Sequence, residues 1–197
     1  MTFYKREFMK KICVFCGSSS GLNPVYSNTA LKLGDYFVKN SISLVYGGGN
    51  IGLMGTISSA VMDNGGHVIG IIPEMIHENV SHKGISELIV VKTMHERKAL
   101  MYSMSDAFIC LPGGIGSLEE LLEVFTWLQL GYHSKPVMVL NINGFYNNLI
   151  KQLEFMVEEG FLKEEHLSNL IVRDNPDRLI DHMFSSDIHH NSKWDTK

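Results

Sequence analysis

The chain has 197 residues, of which 45% are hydrophobic and 19% charged, and its formal net charge is −4. That length suits one α/β domain with a substantial core, and the acidic balance, with no basic cluster beyond Lys5-Arg6 and Lys10-Lys11, argues against a nucleic-acid-binding surface. No apolar stretch approaches the roughly 20 residues of a membrane helix, and residues 1–6 lack the pattern of a cleaved leader, so a cytoplasmic protein is expected.

In chain order, apolar runs predict strands at 11–16, 42–46, 67–72, 87–91, 106–111, 136–140 and near 170–172. Helical patterns fall between them. The first starts at Asn23-Pro24, with proline at an early helical position, and runs to about Asn40; others cover about 52–63, 95–104, 117–130 and 145–159. Alternation of this kind implies a parallel sheet covered on both faces. The expected fold is therefore a single Rossmann-like, doubly wound α/β domain over 1–184, with a mostly parallel sheet of about seven strands. The polar tail 185–197 is expected to fray.

Ligands of such folds bind beyond the carboxyl ends of the strands, where three glycine- or serine-rich loops fall. The most specific is Pro112-Gly113-Gly114-Ile115-Gly116-Ser117-Leu118-Glu119-Glu120, in which a strand runs through glycines into an acidic helix start. Bare backbone N–H groups and the positive end of the helix dipole make this a phosphate cradle. Ser117 can cap the helix or donate to a phosphate oxygen. Of the two acids, one is accounted for by the helix dipole, whereas the other beside an anion site points to chemistry.

The second loop, Gly47-Gly48-Gly49-Asn50-Ile51-Gly52, satisfies G-x-G-x-x-G, and Glu74 lies downstream where a ribose-binding acid would stand. It follows the second strand rather than the first, and its glycines could equally serve close helix–strand packing. The third loop begins with Gly17 and Ser18. Two phosphate-type loops would suit a nucleotide-sized ligand. Met94-His95-Glu96-Arg97-Lys98 opens another helix, and its two cations run against the dipole preference unless they meet an anion. Arg97 could clamp a phosphate or carboxylate in bidentate fashion.

Cys13-Val14-Phe15-Cys16 has redox spacing, but in a strand residues three apart face opposite ways. His77 and His82 are five apart, which puts the imidazoles on different helix faces and argues against a metal. No metal or cofactor is expected.

Together, Met94-His95-Glu96-Arg97-Lys98 and Pro112 to Glu120 resemble the paired signature of the LONELY GUY family, the cytokinin riboside 5′-monophosphate phosphoribohydrolases, whose pattern is P-G-G-x-G-T-x-x-E. That family is similar to a group once labelled lysine decarboxylases. The resemblance extends to Gly17-Ser18, to Gly47-Gly48-Gly49 with Gly52, and to Thr126-Trp127. It implies hydrolysis of the N-glycosidic bond of AMP-like nucleotides, with Arg97 and Glu120 as catalytic residues. It also implies nucleotide contacts from Lys98, Thr126 and the run Gly114, Ile115, Gly116, Ser117, Leu118 and Glu119. Ser117 replaces the usual threonine and keeps the hydroxyl. Glu78 corresponds in region to a substrate-contacting acid, and a homodimer is implied, with Trp127, Leu130 and Tyr132 as candidate contacts. A nucleotide carrier of the same fold, without turnover, is the competing reading.

Overall fold

The computed structural model of the chain describes residues 10–80 and 84–185, without the side chains of residues 78–80. Seven strands form one sheet: β1 (Lys10–Phe15), β2 (Ile42–Tyr46), β3 (Val68–Pro73), β4 (Glu87–Val91), β5 (Ala107–Cys110), β6 (Val137–Leu140) and β7 (Leu170–Arg173). Their spatial order is β4-β3-β2-β1-β5-β6-β7, and every pairing is parallel. The strand order reverses at β1 and β5, so the chain leaves their carboxyl ends towards opposite faces of the sheet and a crevice opens there. The helices are α1 (Pro24–Lys39), α2 (Gly52–Asp63), α3 (Glu74–Val80), α4 (Met94–Met104), α5 (Ile115–Gln129), α6 (Asn147–Glu158), α7 (Glu164–Leu167) and α8 (Leu179–Phe184).

β1 shows how one strand serves two cores. Ile12, Val14 and the following Cys16 face a cluster completed by Leu33 and Phe37 of α1 and Ile57 and Val61 of α2, whereas Cys13 and Phe15 face Met101, Tyr102 and Leu121 on the opposite side. The period-2 alternation thus separates the two cysteines onto different faces, and all three cysteines are free and buried. Burial of each such large side chain stabilises the fold by about 1.5–3 kcal/mol.

Local chemistry sets the helix ends that matter for the crevice. Asn23 caps α1 by accepting the Val25 N–H at 3.0 Å, with Pro24 in the first turn. In α4, Thr93 Oγ1 accepts the Glu96 N–H at 3.1 Å while the Glu96 carboxylate reaches back to the Lys92 N–H at 2.9 Å, a variant of the capping box. Three expectations shift. α5 starts at Ile115, two residues before the expected 117, because Gly114 serves as the N-cap without a side-chain bond. α6 starts at Asn147, leaving Phe145 and Tyr146 on a turn after Ile142–Gly144. The helices α3 and α8 were not legible as patterns, being only 7 and 6 residues long.

Three loops at the crevice are stitched together. Gly17 N–H donates to the Pro112 carbonyl at 3.1 Å, and the Gly17 carbonyl accepts from Leu53 N–H at 3.0 Å and Met54 N–H at 3.4 Å. Gly52, with φ +59°, lies so close to this junction that a Cβ would sit 2.3 Å from the Ser18 carbonyl carbon. Gly52→Ala therefore combines left-handed strain with a backbone clash and is expected to cost more than Gly65→Ala. Gly65 has φ +74° with nothing within 4 Å, so its alanine should cost only about 1–2 kcal/mol. Urea denaturation of both variants checks the difference.

Candidate active site

The crevice contains a cavity of about 390 Å³ lined on one side by Gly17, Ser18 and Gly47, and on the other by Arg97 and the first turns of α5. Arg97 and Glu120 meet across it: Nη1 donates to Oε1 at 2.7 Å, and the side chains retain only 12% and 11% of their surface. Arg97 is aimed from two further directions. Its Nε donates to the Ile71 carbonyl at the end of β3, at 3.1 Å, and Nη1 lies 3.5 Å from Met94 Sδ. Gly47 provides the space, since a Cβ there would lie 2.1 Å from Nη2. The glycine thus leaves room for the arginine while still lining the cavity.

Burial pushes the Glu120 carboxyl above its ordinary range, and the Arg97 charge and hydrogen bond pull it part of the way back. Neighbouring Lys98 is also buried, and its ammonium pairs with Glu119 and, at 2.9 Å, with Glu123. Burial lowers the Lys98 affinity for its proton, but the hydrogen bonds to Glu119 and Glu123 outweigh this and leave it raised. Tyr102 donates to the same Glu123 carboxylate at 2.6 Å. Two adjacent cations of α4 therefore answer two adjacent acids of α5. With α5 starting at Ile115, neither acid is in the first turn, and the dipole explanation offered for one of them is replaced by a salt bridge for each.

The two glycine loops differ in what their donors do. The N-terminal Leu53 and Met54 N–H groups of α2 are spent on the Gly17 carbonyl, so these two amides are already used. Gly48 lies against Ile71 and Ile72, and Gly49 is buried. At α5, by contrast, Leu118 N–H bonds to the Gly114 carbonyl, and the three preceding amides have no intrahelical acceptor. Positions 114 and 116 face open space, with nothing within 4 Å of a would-be Cβ. An open helix start of this kind is able to receive an anion. Ser117 does not cap the helix; it is buried, with Oγ against Gly113.

Of the other expected residues, Met94, Ile115, Ser117 and Glu119 also line the cavity, whereas Lys98, Leu118 and Thr126 do not. Thr126 Oγ1 is bonded to the Leu122 carbonyl at 2.7 Å. Glu78 lies in α3, and its side chain, like His82, falls outside the described residues. Sequence reasoning missed a second cavity of about 290 Å³ that shares Gly17, Ser18 and Gly114 with the first and is walled by Tyr26, Leu53 and Phe145. The rings of Tyr26 and Phe145 meet edge to face at 5.7 Å. Their signal is positional: Tyr26 follows β1 and Phe145 follows β6, the strands on either side of β5.

The family model described as possible lysine decarboxylase matches residues 54–183. The chain is 49% identical over 172 residues to cytokinin riboside 5′-monophosphate phosphoribohydrolase LOG2 of Arabidopsis thaliana, covering 87% of this chain and 81% of that one. It is 54% identical over 154 residues to LOG1 of the same plant, covering 78% and 72%. The chain belongs to the LONELY GUY family. Solved structures with the LONELY GUY-like fold include the molybdenum cofactor binding protein from Rippkaea orientalis, with TM-score 0.66 at 24% identity over 89% of this chain and 96% of that one. The Moco carrier protein from Chlamydomonas reinhardtii gives 0.64 at 17% identity over 87% and 93%. These two likenesses speak to the fold alone.

If Arg97 is what restrains the Glu120 carboxyl, then Arg97→Met should move its titration midpoint further up. Carboxyl-carbon NMR of the wild type and the variant measures this directly, and an unmoved midpoint would contradict the assignment.

Proposed function

We propose that this protein hydrolyses the N-glycosidic bond of AMP or of N6-modified (cytokinin) riboside 5′-monophosphates, releasing the free base and ribose 5-phosphate. The observation that carries the reading is the buried Arg97–Glu120 pair in the same cavity as the open amino end of α5. A phosphate site by itself gains nothing from a carboxylate nearby, so the acid is retained for a reaction. Glu120 lies five residues beyond Ile115, about 8 Å along the helix axis, which is the scale of ribose 5-phosphate. The names and the 49–54% identity of the relatives support the same reaction.

In this reading the amides of Ile115, Gly116 and Ser117 hold the 5′-phosphate and orient the sugar. As the C–N bond lengthens, C1′ gains oxocarbenium character, by analogy with glycoside hydrolysis. The Glu120 carboxylate faces that charge and takes a proton from the attacking water, a task its raised proton affinity suits. The water oxygen bonds to C1′, and the base leaves with the C–N electron pair and takes up a proton. Arg97 keeps Glu120 ionised and aimed. No step calls for a metal or cofactor.

The test is incubation with AMP, isopentenyladenosine 5′-monophosphate and adenosine, following free base by chromatography. The wild type is expected to release base from both nucleotides and far less from adenosine. Glu120→Gln and Arg97→Ala should each lose at least about 100-fold, in line with removal of a general base. Tight nucleotide binding without base release would make the protein a carrier instead.

A homodimer in the cytoplasm belongs to the same reading. The exposed Tyr132 (77%) and Leu122 (39%) of the α5 region support an apolar contact, and three unpaired thiols suit a reducing compartment. Light scattering should give twice the chain mass, and Tyr132→Glu should shift it towards the monomer.

A further inference from the structure

The Leu111–Pro112 peptide lies at the root of the α5 anion cradle, and it cannot be fixed by the sheet. Leu111 N–H still donates to the Phe15 carbonyl at 2.9 Å, but Pro112 has no N–H, so the ladder ends there. The Leu111 carbonyl is left in a fully buried position, where an unpaired acceptor is costly. The neighbouring Cys110 thiol reaches it at 3.5 Å, and the shorter bond comes from Tyr146, whose hydroxyl donates to that carbonyl at 2.7 Å. The phenol oxygen also lies 3.2 Å from Cys110 Sγ, which is 3.7 Å from the Ser117 carbonyl in the first turn of α5. Tyr146 thus touches the loop directly ahead of its glycines, and reaches the turn beyond them through Cys110.

The tyrosine is itself held in place. Its N–H donates to Asn141 Oδ1 at 2.7 Å, and Asn141 N–H donates to the Arg173 carbonyl of β7 at 2.6 Å. Between them Asn143 and Gly144 adopt φ +53° and +69°, which turns the chain so that Phe145 faces Tyr26 and Tyr146 passes beneath the loop. Burial raises the Tyr146 hydroxyl well above its ordinary range and the Cys110 thiol to about 12, so both remain protonated donors.

We propose that Tyr146 is a positioning residue for recognition of the 5′-phosphate: by fixing the Leu111 carbonyl it holds the Gly113–Ser117 amides in the geometry that receives the anion. This rests on the phosphate site of the proposed function. It predicts a defect specific to the phosphate, not a general loss of stability or chemistry.

The experiment compares wild type, Tyr146→Phe and Tyr36→Phe. The last removes a hydroxyl that accepts the Ile180 N–H at 3.0 Å on the α8 side of the sheet, and so controls for loss of a structural phenol. By calorimetry, Tyr146→Phe should raise the Kd for AMP three- to tenfold, the fold-change of one lost hydrogen bond, and leave that for adenosine unchanged. KM for AMP should rise in parallel, with kcat kept within about twofold. Tyr36→Phe should change none of these. An unaltered AMP Kd in Tyr146→Phe, or equal weakening of AMP and adenosine, overturns the proposal. If wild type binds AMP but releases no base, the hydrolase reading fails and the Kd comparison still decides the role of Tyr146. If wild type does not bind AMP, both fail.

Discussion

The Arg97–Glu120 ion pair is the constraint around which the crevice is arranged. Two charges with about a tenth of their surface left are tolerable only as partners, because removing one leaves the other buried without compensation at about 3–5 kcal/mol. The surroundings follow from that requirement. The capping box of Thr93 and Glu96 fixes the start of α4 one turn before Arg97. The Ile71 carbonyl accepts a second guanidinium N–H, and residue 47 must lack a Cβ. Lys98, Glu119, Glu123 and Tyr102 then bind the same two helices alongside, so that the pair is supported by a second set of charge-assisted bonds.

Donor satisfaction decides which glycine loop can take an anion. Both follow strands and both precede helices, and from pattern alone they are equivalent. They differ in whether the protein has already used the amides. The Gly17 carbonyl takes those of α2 and leaves those of α5, and in doing so it joins its own loop to the Gly47–Gly52 loop. The first loop is tied to the third through the Pro112 carbonyl. The crevice is therefore hydrogen-bonded together on its β1 side and presents free helix amides on its α5 side.

Much of this was legible in the sequence because it depends on short-range rules. Apolar runs locate every strand to within one residue at each end, and the alternation of side chains along the run at 11–16 separates Cys13 from Cys16. Glycines followed directly by a helix marked the cradle, and the pairing of Arg97 with Glu120 came from the family resemblance. What was not legible depends on long-range contacts. That Gly47 makes room for Arg97 links residues fifty apart, and that Leu53 and Met54 spend their donors on Gly17 links two loops. Tyr146 read as part of a helix expected at 145–159, since nothing local tells a helical tyrosine from one on a turn whose hydroxyl meets a strand 35 residues earlier. Ser117 looked like a cap because the helix start was placed two residues late.

The division between backbone and side chains also bears on how one fold can host different tasks. An anion cradle made of amides is built from backbone, so any chain with the same sheet order and a glycine at the right turn can form it, whatever its other residues. Fold likeness at 17–24% identity therefore speaks of the fold and not of the reaction. The reaction requires a side chain whose proton affinity is set by its surroundings. In the proposed function that side chain is Glu120, and its surroundings are Arg97 and its own burial. The charged pair joins α4 to α5, so on that reading it is this contact, and not the amides of the loop, that separates a hydrolase from a carrier.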